Sequence, residues 1–81
     1  MISAIIIDDE QHCIDRLSSL LKENHQDTII LTGTFSTIEE GLAAISKLQP
    51  QLVFLDVQIH DRTGFDLLKQ LSKIHFDIIF T

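Results

Sequence analysis

The chain has 81 residues, 44% hydrophobic and 22% charged, an ordinary balance for one small globular domain and unlike that of a disordered segment. Twelve acids against six bases give a formal net charge of −6, which disfavours direct binding to nucleic-acid phosphates. The longest apolar runs are far too short to span a bilayer, so no membrane association is expected, and the single cysteine, Cys13, fits a reducing, cytoplasmic setting.

In chain order, Ser3–Asp8 reads as a first strand, because Ala4-Ile5-Ile6-Ile7 is the continuous apolar run of a parallel strand covered on both faces. A helix is predicted from Glu10 to Asn24, with Ile14, Leu17, Leu20 and Leu21 on one face and Cys13 packing at its edge. A second strand follows over Thr28–Phe35, favoured by β-branched residues. Ser36-Thr37-Ile38-Glu39 has the form of a capping box, so Ser36 is expected to start a second helix. That helix would turn Ile38, Leu42, Ile45 and Leu48 inward and stop before Pro50.

The third strand is predicted over Gln51–Asp56, and Val57–Thr63 reads as a polar loop. Thr63 and Asp66 are placed to cap a third helix whose inward residues would be Phe65, Leu68, Leu71 and Ile74. Asp77–Thr81 begins a fourth strand. Strands alternating with helices predict an α/β fold with right-handed crossovers and a parallel sheet.

The chemistry gathers where two of these strands stop. Asp8 and Asp9 follow the first, and Asp56 follows Leu52-Val53-Phe54-Leu55. Open α/β sheets bind ligands at the carboxyl ends of their strands. Three carboxylates converging there repel one another unless a cation or a proton sits between them, which suits a hard metal ion and phosphoryl chemistry. Magnesium takes oxygen ligands, often one or two carboxylates plus a phosphate. The four histidines lack the spacing of a metal site and are expected at the surface, with His60 in the loop beside the acids.

Taken together, Ile5-Ile6-Ile7-Asp8-Asp9-Glu10, Leu52-Val53-Phe54-Leu55-Asp56-Val57-Gln58, Gly64-Phe65 and Ile78-Ile79-Phe80-Thr81 resemble the receiver domain of bacterial two-component response regulators. The resemblance implies a flavodoxin-like (CheY-like) three-layer fold, and residues 1–81 would form a partial receiver domain ending after its fourth strand. It further implies that Asp56 accepts a phosphoryl group from a sensor histidine kinase or a small phospho-donor. Asp9 would bind Mg²⁺ directly, Asp8 would act mainly through metal-bound water, and the backbone carbonyl of Gln58 would complete the protein's ligands, with Asp56 sharing the ion. Thr81 matches the hydroxyl residue that senses the phosphoryl group. Such a protein promotes its own phosphorylation and switches an output domain; it is not a turnover enzyme.

The chain departs from the resemblance at two places. Receivers commonly carry proline where this chain has His60, so the loop is expected to be less rigid. A complete receiver has roughly 120 residues, and its phosphoryl-contacting lysine ends a fifth strand, beyond the positions of Lys22, Lys47, Lys69 and Lys73. These 81 residues alone are therefore expected to signal poorly. The fourth strand would present an apolar open edge, from which a homodimer or higher assembly is expected. The resemblance leans towards a LytTR-type DNA-binding output. The alternative is a degenerate receiver-like module that works by assembly, without phosphotransfer.

Overall fold

Alternate residues of the apolar runs feed opposite sides of one sheet. The computed structural model describes Met1–Thr81. In β1 (Ile2–Ile7) and β3 (Leu52–Leu55) every residue from Ala4 to Ile7 and from Leu52 to Leu55 is buried. Ala4, Ile6, Leu52 and Phe54 pack with Ile14 and Leu21 of α1 (Gln11–Asn24). Ile5, Ile7, Val53 and Leu55 pack on the other side with Ile38, Ala44 and Ile45 of α2 (Ile38–Leu48) and with Leu67. The result is the three-layer arrangement that the alternating pattern predicts, with parallel pairing throughout the main sheet.

The strand order is β2-β1-β3-β6, with β2 at Ile29–Phe35 and β6 at Asp77–Phe80. The chain ends of β1 and β3 lie side by side, because Ile7 pairs with Leu55 and the Asp56 N–H donates to the Ile7 carbonyl. This pairing is what brings Asp8, Asp9 and Asp56 to one rim. Between Ala4 and Ile5 the β1–β2 register shifts by one residue: Ala4 pairs with Leu31, but Ile5 pairs with Gly33. Thr32 is the extra residue, and its hydroxyl donates to the Ala4 carbonyl.

Four local expectations need correction. Thr37, not Ser36, caps α2: its hydroxyl accepts from the Glu40 N–H at 3.1 Å. The Glu40 carboxylate in turn takes the Ser36 amide and hydroxyl rather than the Thr37 amide, so the cap lies one residue later than Ser36…Glu39 suggested and is not a reciprocal box. The predicted loop contains a short antiparallel hairpin, β4 (Gln58–Ile59) with β5 (Arg62–Thr63), fixed by the burial of Ile59.

The third helix, α3, covers only Gly64–Lys69, and its fully buried side chain is Leu67 rather than Phe65, which lies against Phe80 with ring centroids 5.0 Å apart. Thr63 and Asp66 cap it as expected, and they do so as a capping box: the Thr63 hydroxyl accepts from the Asp66 N–H, and the Asp66 carboxylate accepts from the Thr63 N–H. Leu68 and Leu71 pack against the core partly buried. Leu20, Leu48 and Ile74 are exposed rather than core residues, because each lies at the margin of its helix's apolar stripe or, for Ile74, beyond the helix end. No helix is long and apolar enough to cross a membrane.

Candidate functional site

Asp8 is the buried member of the acidic group, with 7% of its surface exposed. Its amide donates to the Phe35 carbonyl, continuing the β1–β2 ladder, and its carboxylate Oδ1 accepts the Glu10 N–H at 3.0 Å. Asp9 and Asp56 are partly buried. One carboxylate oxygen from each of Asp8, Asp9 and Asp56 lies within 4.8 Å of the others. An all-oxygen donor set of this kind suits a hard cation such as Mg²⁺ and gives no selectivity for softer metals.

Two backbone amides orient the acids. The Gln58 N–H donates to Asp56 Oδ1 at 3.2 Å, leaving Oδ2 of that carboxylate outside this bond. The His60 N–H donates to Asp9 Oδ2 at 2.8 Å. Gly64 closes the loop from below: its N–H donates to the Val57 carbonyl, and a Cβ here would stand 2.6 Å from the Asp56 carbonyl oxygen. Only glycine lets α3 begin this close to the Asp56 backbone.

Thr81 follows β6, its N–H donating to the Leu55 carbonyl at 3.0 Å. It lines, with Asp8, Asp56, Glu10, Cys13 and Arg16, a cleft of about 280 Å³ between α1 and the sheet. The structure thus brings Asp8, Asp9 and Asp56 together, puts Thr81 on the same rim, and places Gln58 directly after them. Arg16 and Cys13 were not singled out from the sequence as members of this cleft. Cys13 lies in the first turn of α1 and Arg16 in the second, positions that carry no motif. Glu10, His12 and Cys13 also present ligand atoms within 4.8 Å of one another, although no separation among the histidines flags this grouping.

Burial pushes the Asp56 carboxyl up to about 6; the Gln58 amide opposes the rise, and the charges of Asp8 and then Asp9 add to it. The folded chain therefore holds the Asp56 proton more tightly than an unfolded chain does. Between the ordinary value, 3.8, and about 6, the native state binds more protons, so this group's contribution to stability falls as pH rises. Glu39, lowered by its bond to Arg62, and Asp66, lowered by the Thr63 amide, act in the opposite sense. Comparing Asp56→Asn with wild type cancels those two. Thermal melts in the absence of divalent cations are expected to show Asp56→Asn the more stable at pH 7, with the difference shrinking towards pH 4. A difference that is constant across this range would mean that folding does not raise the Asp56 carboxyl.

A family model described as a response regulator receiver domain matches residues 4–81. Among curated proteins, a response regulatory protein of Vibrio cholerae is 42% identical over 72 residues, covering 89% of this chain and 30% of its own length. The sensory transduction protein LytT of Bacillus anthracis is 34% identical over 74 residues, covering 91% of this chain and 29% of its own. The chain thus spans under a third of these relatives. Among solved structures, the response regulator PhyR from Brucella abortus superposes with a TM-score of 0.83 at 25% identity, covering 98% of this chain and 32% of the other.

Proposed function

Because the chain belongs to the response regulator receiver domains, the input modules of two-component signalling, we propose that Asp56 is its phospho-acceptor and that Asp8, Asp9, Asp56 and the Gln58 carbonyl hold Mg²⁺. The convergence of three carboxylate oxygens within 4.8 Å at the carboxyl ends of β1 and β3 carries the reading. When bound, the ion supplies positive charge to the acids and to the oxygens of the transferred phosphoryl group.

The chain's own residues do the rest. Asp56 is the nucleophile: a carboxylate oxygen forms the new P–O bond as the donor's P–N bond breaks, and the leaving imidazole of the phosphohistidine takes up a proton. The Gln58 N–H keeps Asp56 Oδ1 turned away from the attack, so Oδ2 is the reacting oxygen. With its carboxyl raised only to about 6, Asp56 is mostly ionised near neutral pH, as a nucleophile must be. Thr81, joined by backbone to Leu55, is the hydroxyl that would register the added phosphoryl oxygens. The donor is a sensor histidine kinase in the cytoplasm. Residues 1–81 form the strand-one-to-strand-four part of a receiver domain, which switches an output domain; the similarity to LytT favours a DNA-binding output of the LytTR type.

A second reading is assembly without phosphotransfer. It is favoured by β6, which stands at the sheet edge with Ile79 47% and Phe80 42% exposed, where edge-to-edge pairing with another copy would bury them. Mg²⁺ titration followed by amide NMR separates the two. Saturable shifts around Asp8, Asp9 and Gln58 are expected, with Asp9→Asn weakening the affinity at least about tenfold. Absence of saturable Mg²⁺ binding, together with a concentration-dependent mass in light scattering, would favour assembly instead.

A further inference from the structure

Of all the groups around the acidic rim, the one in an unusual conformation is His60. Its φ is 56°, in the left-handed region that few non-glycine residues enter. Its peptide is held at both ends: the N–H donates to Asp9 Oδ2 at 2.8 Å, and the carbonyl accepts from the Gln58 side-chain amide at 3.0 Å. The imidazole Nδ1 lies farther from the same Asp9 oxygen, at 3.7 Å, and the side chain is 60% exposed. The backbone amide therefore makes the short contact, and the ring is a peripheral neighbour.

The element carrying this amide is anchored independently of Asp9. Ile59 is 1% exposed on one side of the turn. On the other side, Arg62 pairs with Glu39 of α2, and Thr63 is locked into the α3 capping box. A donor on so constrained a hairpin fixes the plane of the carboxylate that it touches. Of Asp9's two oxygens, Oδ2 is turned to the hairpin, which leaves Oδ1 outside that bond. Carboxylates that ligate metals depend on such outer hydrogen bonds for orientation.

We propose that His60 is a positioning residue for the metal site: its left-handed backbone presents an N–H that fixes Asp9 for cation binding. This rests on the reading of Asp9 as a metal ligand, and it assigns the role to the main chain of residue 60 rather than to its ring. Proline, common here in receivers, is still the informative substitution: it has no N–H and its φ is confined near −65°, far from the 56° of this loop, so receivers that carry it must orient this acid by another contact. Glycine keeps the N–H and enters the left-handed region freely.

The test uses amide NMR on the whole chain. Without metal, the His60 amide is expected to exchange slowly with solvent in wild type and rapidly in Asp9→Ala, which has no side-chain acceptor. Mg²⁺ affinity is expected to fall about 10-fold to 100-fold in His60→Pro and to stay within about 3-fold of wild type in His60→Gly, a rescue that a role for the imidazole would not allow. Spectral dispersion elsewhere in His60→Pro should match wild type. If that variant loses its dispersion, the paired measurements on Asp9→Ala and His60→Gly still decide. Equal affinity in His60→Pro and wild type, equal losses in the Pro and Gly variants, or an unprotected His60 amide would each overturn the proposal. Should wild type bind no Mg²⁺ while the amide stays protected, the metal reading is what fails, and the purpose assigned to His60 falls with it.

Discussion

Replacing Asp56 by Asn is expected to abolish phosphoryl incorporation, to about one-hundredth of wild type or less, because an amide lacks the nucleophilic carboxylate oxygen. The substitution is close to isosteric, and the Gln58 N–H that donates to Oδ1 at 3.2 Å finds an equivalent acceptor in the Asn carbonyl. Loss of incorporation would therefore not be a consequence of unfolding; removing one of three crowded carboxylates relieves repulsion. The measurement is intact mass after incubation with Mg²⁺ and a small phospho-donor, scaled to the wild-type chain. Two neighbouring carboxylates make the result informative. Incorporation that persists in Asp56→Asn would sit on another group, Asp8 and Asp9 being the nearest carboxylates, and the acceptor would need reassignment. Asp8 is the weaker competitor, since it is buried and already accepts the Glu10 amide.

The largest effect on stability is expected from Leu67→Ala. Leu67 has no exposed surface and is the side chain that ties the six-residue α3 to the core formed by Ile7, Leu55 and Ile38. It sits against the face of α2 at Gly41, where an added Cβ would come within 3.2 Å of Leu67 Cδ1. Truncating a buried leucine costs about 2–5 kcal/mol, the higher end applying where the surroundings cannot collapse. A domain of this size has roughly 4–12 kcal/mol in total, so a substantial part of the margin is lost. Urea denaturation should show the midpoint falling with little change in slope. A cost under about 1 kcal/mol would mean that α3 is not docked on the core as described. Phe65→Ala, at an exposed position beside Phe80, provides the contrast.

The sheet and the acidic rim were legible in the sequence for a simple reason. Ala4–Ile7 and Leu52–Leu55 are apolar without interruption, a pattern that two-sided burial demands and an exposed loop does not tolerate. The acids that terminate them are then placed by the pairing of Ile7 with Leu55. What escaped was structure shorter than any period. The two-residue strands Gln58–Ile59 and Arg62–Thr63 cannot display alternation, and His60-Asp61 is not one of the glycine-bearing pairs that announce a tight hairpin.

From sequence alone, His60 in place of a proline predicts only a looser loop. Its positive consequence, an added N–H on Asp9, depends on a backbone angle that sequence does not reveal. Ser36 and Thr37 each precede a glutamate by three residues, so pattern alone left the α2 cap ambiguous by one position. The same limit applies to α3: Phe65 and Leu68 look as good as Leu67 until the orientation set by Gly64 against the Asp56 carbonyl is known.

The one-residue shift in β2 has an implication for how this chain tolerates insertions and deletions. Ile29 and Leu31 pack on the α1 side of the sheet, yet Phe35, with the same parity, packs on the α2 side. In a regular strand, residues two apart share a face; the extra Thr32 is what changes sides midway. Deleting Thr32 would therefore restore a regular strand: Gly33 would follow Leu31, and Phe35 would keep its place on the α2 side, paired with Ile7. The shift gives this strand a one-residue allowance, so a single deletion here leaves in place the Phe35 carbonyl on which Asp8 hangs. A second deletion would carry Phe35 to the α1 side and become an edit of the acidic rim.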